Sequence, residues 1–149
     1  MGVRGLTLGL WTLAATMCGS QAADGAHATI DKPAVMTAVL TGHLMTDTPG
    51  PTRVYLSIVA FTPPRDRKRV EIVVRASATP NGPARELGRA AIEPYVAFGV
   101  RNKSRRREFA FLVPAEFQSA LRLTVSVALH PMTGSGAGAS LEVGDASIR

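Results

Sequence analysis

The stretch Leu121–His130 constrains the fold of this chain more than any other part of the sequence. Its apolar residues occupy the odd positions and mostly polar residues occupy the even ones: Leu121, Leu123, Val125, Val127 and Leu129 against Arg122, Thr124, Ser126 and His130. Successive side chains of a β-strand point to opposite faces, whereas an amphipathic helix repeats its apolar residues every three or four positions. The stretch is therefore predicted to be a strand with one buried and one solvated face. Because a lone strand is not stable in water, the rest of the chain must supply partners.

Other segments have the same character. The predicted strands are Arg53–Phe61, Arg69–Ala76, Leu87–Ile92, Tyr95–Val100, Glu108–Val113 and Leu141–Ile148, while Ala34–Leu40 could be a first strand or a helical turn. Turns rich in Gly and Pro separate them about every ten residues, and no long helical period occurs. This pattern predicts an all-β fold, an antiparallel β-sandwich of the jelly-roll or immunoglobulin-like kind with about six to eight short strands. A small barrel is the alternative.

The first residues have the layout of a secretory signal peptide. Arg4 precedes an apolar run from Leu6 to Met17, and small residues follow around Ala22. The run is too short for a mature transmembrane helix, and no later segment is longer. We expect cleavage after Ala22 or Ala23 and a secreted or periplasmic product without a membrane anchor. The chain then divides into a signal peptide at 1–22, an extended segment with a first strand at 23–52, and the β-sandwich at 53–149.

The only cysteine, Cys18, lies in this predicted leader. A mature chain without it has no disulfide, thiolate ligand or cysteine nucleophile, so burial of the core must stabilise the domain. Three histidines are present, and none accompanies a serine nucleophile motif, a Gly-rich phosphate loop or a helical zinc motif. The sequence therefore predicts a protein that is not an enzyme and requires no cofactor.

Much of the formal net charge of +6 comes from two basic clusters that lie between apolar runs. The cations that we single out in them are Arg65, Arg67, Lys68, Arg105, Arg106 and Arg107. One interpretation is that both clusters are solvated hairpin tips. The other is a positive end of the domain that docks on an acidic protein, a polyanion or a lipid surface. Nucleic acid is not expected, because no aromatic residue interleaves either cluster.

Two His-x-Met pairs, His43–Met45 and His130–Met132, are candidate metal ligands. Residues two apart on an extended backbone point the same way, so each pair can present an imidazole and a thioether together. Such soft donors suit copper(I). The alternative is that the methionines fill the core or its rim and the histidines lie on the surface at strand ends.

The order of parts over Arg53–Ile148 resembles the C-terminal β-sandwich of the tyrosinase and polyphenol oxidase family. The parts that carry the resemblance are, in order, Val54–Ile58, Pro63–Arg65, Val70–Val74, Leu87–Ile92, Tyr95–Gly99, Phe109–Phe111, Leu121–Val127 and Leu141–Ile148. They form a pattern of strands and spacing and contain no invariant motif.

The resemblance implies a lid. In that family the domain covers the mouth of the di-copper active site, and in related systems a separate small protein does a similar task and helps to deliver copper. This chain has three histidines, too few for the six-histidine copper centre, so the resemblance implies a free-standing accessory domain. Tyr95 and Phe98 are, by position, the candidate aromatic residues for entering a partner's copper pocket. The other hypothesis is a general extracytoplasmic binding or structural module whose basic loops hold an acidic partner.

Overall fold

The computed structural model describes residues 25–41, 50–92, 95–99 and 106–149, so the predicted signal peptide lies outside the described residues. The all-β prediction is confirmed: within the described part of the chain there are eight strands and a single 3-10 turn at Ala115–Phe117. The strands are β1 (Ala26–Thr29), β2 (Ala34–Leu40), β3 (Arg53–Thr62), β4 (Val70–Ser77), β5 (Arg85–Ala91), β6 (Arg107–Leu112), β7 (Arg122–Pro131) and β8 (Ser140–Ile148).

All strands belong to one sheet with the order β5-β4-β7-β2-β8-β3-β6, and β1 pairs with β8 beside this path. The pairs are antiparallel apart from β2 with β8, which run parallel through Val39–Ser147 and Leu40–Ile148. The sheet is therefore mixed, and it curls until it is nearly barrel-shaped. At the remaining seam, a Cβ built on Gly88 of β5 would lie 3.0 Å from the Phe111 ring of β6. The structure thus lies between a sandwich and the small barrel named as the alternative.

The core lies inside the curled sheet and is formed by the alternating apolar residues. On β7 the buried residues are Leu123, Val125, Val127 and Leu129, as the sequence predicts. Leu121 was expected on this buried face, and that expectation is wrong because its side chain is 70% exposed. The strand begins one residue later, and Leu121 contributes its carbonyl group, which accepts a hydrogen bond of 2.9 Å from the Leu40 amide.

Two strands that precede residue 53 are part of the same sheet. The run Ala34–Leu40, which could have been a helical turn, is strand β2 and pairs with β7. The polar segment before it contains β1, whose register places Thr29 opposite Ser140.

Gly144 forms a β-bulge in β8, as the sequence suggested. Ser57 of β3 pairs with Asp145 and the next residue, Ile58, pairs with Val143, so Gly144 is skipped. A Cβ on Gly144 would lie only 2.6 Å from Cγ1 of Val59, which makes glycine the residue that fits.

Candidate functional site

The connections between strands gather at two ends of the sheet, and one end is rich in cations. We define the basic end by its described residues: 30–33, 63–69, 95–99, 106–107 and 132–139. These residues include seven cations and two acidic side chains: Lys32, Arg65, Arg67, Lys68, Arg69, Arg106 and Arg107, with Asp31 and Asp66.

The topology explains why Arg106 and Arg107 lie at the same end as the first basic cluster, although the two are far apart in sequence. Strand β6 runs antiparallel to β3, and Arg107 lies opposite Ile58. Three residues further along β3, Phe61 pairs with Phe98. The first cluster begins just beyond β3, so Arg106 and Arg107 lie at the same end as residues 63–69. Arg105, which was also predicted to bind a partner, lies outside the described residues.

The loop 63–69 is held by main-chain hydrogen bonds to the neighbouring loop 132–139. The Arg65 amide donates to the Ala137 carbonyl at 3.0 Å, and the Met132 amide donates to the Arg69 carbonyl at 2.9 Å. These bonds tie both ends of the loop, so the scaffold fixes the course of its main chain.

Tyr95 adds a third tether to this loop. Its hydroxyl donates a hydrogen bond to the Lys68 carbonyl, and within the loop the Lys68 amide donates to Asp66 Oδ1 at 3.0 Å. Burial raises the pKa of the Tyr95 phenol, and the nearby Asp66 carboxylate acts in the same direction. The phenol is thus kept protonated as the donor.

Arg67 has a backbone φ of 53°, and every other positive φ in the described residues belongs to glycine. The left-handed region costs an L-residue about 1 kcal/mol, because Cβ approaches the following carbonyl oxygen. Arg67 therefore stands at a position where glycine would be less strained, in the middle of the first basic cluster.

The two aromatic residues that were predicted to bind a partner pack against Phe61. The ring centroid of Phe61 lies 5.6 Å from that of Tyr95 and 6.1 Å from that of Phe98. Phe98 is 8% exposed, and the Arg107 guanidinium lies 4.4 Å from its ring centroid. In this arrangement the rings of Tyr95 and Phe98 pack the segment 95–99 against the end of β3.

Of the predicted copper ligands, His130 and Met132 lie at or beside the basic end, and His43 and Met45 lie outside the described residues. The side chain of His130 is 60% exposed and Met132 is 54% exposed. Within the described part of the chain, no three side chains among His, Cys, Asp and Glu gather as a metal site. Nδ1 of His130 lies 3.5 Å from Oε1 of Glu71 on the neighbouring strand.

Glu71 belongs to a row of charges across the outer face of β4, β5 and β7. Arg89 bridges two carboxylates, with Nη1 2.7 Å from Glu71 Oε1 and Nε 2.8 Å from Glu86 Oε1. The hydrogen bond from Arg89 lowers the pKa of Glu86, and both carboxylates raise the pKa of the Arg89 guanidinium. Sequence reasoning did not bring these residues together, since the row depends on the registers of three strands.

Comparisons with protein-family models, curated proteins and solved structures gave no match. Among the described residues, no helix is long and apolar enough to cross a membrane.

Proposed function

We propose that this protein is a non-enzymatic, exported binding module that docks on an acidic partner through its basic end. The observation that carries the proposal is the loop 63–69. It presents four cations within five consecutive residues, and hydrogen bonds to loop 132–139 and to Tyr95 hold it in place. A dense positive surface raises the local concentration of an anionic partner and accelerates association.

The conformation of Arg67 supports a role for the loop in binding. Strained backbone positions persist where the surrounding structure fixes them, and they are enriched at ligand-binding sites. A loop that served only to connect β3 and β4 would be more stable with glycine at this position. A surface that docks on an anionic partner instead requires a cationic side chain, such as that of Arg67, at this position.

A second candidate function is the one that the family resemblance implies, a cover or copper-delivery aid for a di-copper oxidase. One observation favours it: His130 and Met132 are both exposed next to the basic loop. Of the two aromatic candidates, Phe98 is buried on Phe61, so Tyr95 is the more accessible.

The docking proposal is tested by charge reversal at the two ends of the sheet. We expect Arg67→Glu with Lys68→Glu to weaken retention on immobilised poly-L-glutamate by about tenfold or more at low salt, because each lost ion pair removes salt-sensitive binding energy. The matched control is Arg85→Glu with Arg122→Glu, which changes the net charge equally and lies at the opposite end. Equal losses in both variants would show that only net charge matters and would overturn the proposal.

The copper role is tested by titrating copper(I) against a colorimetric chelator. A delivery aid should bind copper(I) stoichiometrically, and His130→Ala with Met132→Leu should abolish one site. His27→Ala, on an exposed position of β1, is the control, and His43→Ala with Met45→Leu tests the second pair. Failure of the unaltered protein to compete with the chelator would exclude delivery. Recovery of a di-copper oxidase from the native extract would support the cover.

A further inference from the structure

Beside the basic loop there is an open cleft of about 450 Å³ between two connections. Its lining includes Thr29 and Asp31 on one side and Ser135, Gly138 and Ser140 on the other. Thr29 and Ser140 are register partners in β1 and β8, so both hydroxyl-bearing residues are set by the sheet.

A glycine in the loop 132–139 allows close packing at the walls of the cleft. A Cβ on Gly136 would lie 2.7 Å from Cδ1 of Ile30, so the loop meets the turn at residues 30–33 directly. The Ala137 amide donates a hydrogen bond of 3.2 Å to the Ser135 hydroxyl. The first contact packs the loop against the turn, and the hydrogen bond stabilises the loop itself.

Arg65 borders this cleft. Gly138 belongs to the cleft lining. A Cβ on Gly138 would lie 3.1 Å from Cγ and 3.3 Å from Nε of Arg65, so the Arg65 side chain packs closely against this lining residue. The cleft therefore combines an arginine at its border with a carboxylate, Asp31, and with the three hydroxyl-bearing residues Thr29, Ser135 and Ser140 in its lining.

This combination selects a ligand with two kinds of group. A guanidinium pairs with a carboxylate or sulfate. An ionised carboxylate such as Asp31 can only accept hydrogen bonds, so it repels an anion and binds a hydroxyl donor. Serine and threonine hydroxyls donate and accept, as sugar hydroxyls do. Asp31 repels the anionic groups of either kind of polymer, but only a polymer with hydroxyl groups, such as one of acidic sugars, can offset this repulsion by donating a hydrogen bond to the carboxylate.

We propose that the acidic partner of the basic end is an acidic polysaccharide, with one sugar in the cleft and its anionic groups on Arg65 and the loop 63–69. This inference rests on the proposed function and narrows it to a ligand class. An acidic protein or polypeptide is the rival that the experiment separates.

The test compares two carboxylate polymers of matched length, polygalacturonate oligomers and poly-L-glutamate, in binding to the purified protein. The decisive variant is Asp31→Ala, because it removes a negative charge next to the ligand together with the oxygens that accept a hydrogen bond. Simple electrostatic attraction then predicts tighter binding of both polymers. Recognition of a sugar hydroxyl predicts that polygalacturonate binds about fivefold more weakly, the equivalent of one hydrogen bond, while poly-L-glutamate binds more tightly.

Asp145→Ala is the matched control, since it makes the same charge change at an exposed site on β8. It should leave the preference between the polymers unchanged. Amide chemical shifts of Ser135, Gly138 and Ser140 should move with polygalacturonate in the unaltered protein, which checks the site without a variant.

If Asp31→Ala strengthens the binding of both polymers and the amide shifts do not change, the saccharide inference is wrong and docking through the basic end stands. If neither polymer binds the unaltered protein, the docking proposal fails as well. The saccharide inference is supported only if the Asp31 variant weakens the binding of polygalacturonate while it strengthens that of poly-L-glutamate. The amide chemical shifts must also move in the unaltered protein.

Discussion

The two ends of the sheet carry arginines in different ways. At the basic end, four cations follow one another within the single loop 63–69. At the opposite end the arginines come from four separate segments: Arg53, Arg85, Arg122 and Arg149. There, Nε of Arg85 lies 3.4 Å from Glu116 Oε1, and the Arg149 guanidinium lies 4.8 Å from the centroid of the Tyr55 ring.

The comparison shows that arginine and lysine residues form a positively charged surface only where the fold brings them close together. At the opposite end the cations are dispersed, and two of them, Arg85 and Arg149, have local partners. The basic end brings consecutive cations together with those of residues 106–107, on loops that long-range hydrogen bonds hold. Changes at the basic end and at the opposite end should therefore differ in their effects on stability and on binding.

The largest effect on stability is expected for glycine at the basic end. Gly136 has φ 67°, and an added Cβ would lie 2.7 Å from Ile30 Cδ1. Gly136→Ala should therefore lower the free energy of unfolding by about 2 kcal/mol, from backbone strain and overpacking together. Urea denaturation measures it.

Gly82→Ala is the matched change at the opposite end. Its Cβ would approach Thr79 Oγ1, a side-chain hydroxyl that can rotate away, and Gly82 has no positive φ. Its cost should stay below about 1 kcal/mol, in the range of ordinary surface changes. Equal costs for the two glycines would mean that the loop 132–139 is no more constrained than a simple turn.

Tyr95→Phe removes the hydroxyl that tethers Lys68. We expect a loss of about 1 kcal/mol of folding stability, the net value of one hydrogen bond. Tyr55→Phe is the control at the opposite end, where Arg149 stacks on a ring that phenylalanine keeps. Thermal unfolding of both variants should show a lower Tm for Tyr95→Phe alone.

The same tyrosine should make stability depend on alkaline pH. Its folded-state pKa is raised from the ordinary value of 10.0, so the protonated phenol is favoured by folding. That contribution is fully present below pH 10 and is lost as the pH rises through the folded-state pKa. Urea titrations near pH 10 and above should show a decline in the unaltered protein that is smaller in Tyr95→Phe; identical slopes would contradict the burial of the phenol.

Arg67→Gly should separate stability from binding. Glycine relieves the left-handed backbone at φ 53°, which should raise stability by up to about 1 kcal/mol, less what the freer unfolded chain takes back. Retention on poly-L-glutamate should fall in the same variant. If the variant is more stable and is retained as well as the unaltered protein, Arg67 is not part of the docking surface.

The smallest effect is expected for the exposed ion pair at the opposite end. The side chains of Arg85 and Glu116 are 69% and 50% exposed. Arg85→Ala should change the free energy of unfolding by no more than about 0.5 kcal/mol, because solvent screens such pairs. A much larger loss in urea denaturation would indicate that this end is held by charge.

Local sequence pattern was enough to predict the strands because alternation is a property of neighbouring residues. It identified the buried faces of β4 and β7 and the bulge at Gly144. It placed Leu121 wrongly, since the alternation extends one residue before the point where the strand begins. Nothing local to β2 or β8 signals that their ends pair in parallel, so the nearly closed sheet could not be derived from the sequence.

The candidate site was predicted in part for the same reason. The basic residues were visible as clusters, and their meeting at one end follows from strand registers that a sequence does not show. The cleft was missed because Asp31 and Ser135 are ordinary turn residues, more than a hundred positions apart, and only the β1–β8 pairing brings their segments together.

The position of β8 in the chain has a consequence for how the protein is made. This strand follows all its partners in sequence, and it pairs with β1, β2 and β3. During synthesis, the edges of those three strands that pair with β8 therefore stay unpaired until β8 has been made. Pairings between distant segments slow folding, so a newly made chain stays unfolded for longer than one with local contacts. Such a delay would favour the export that we propose for this protein.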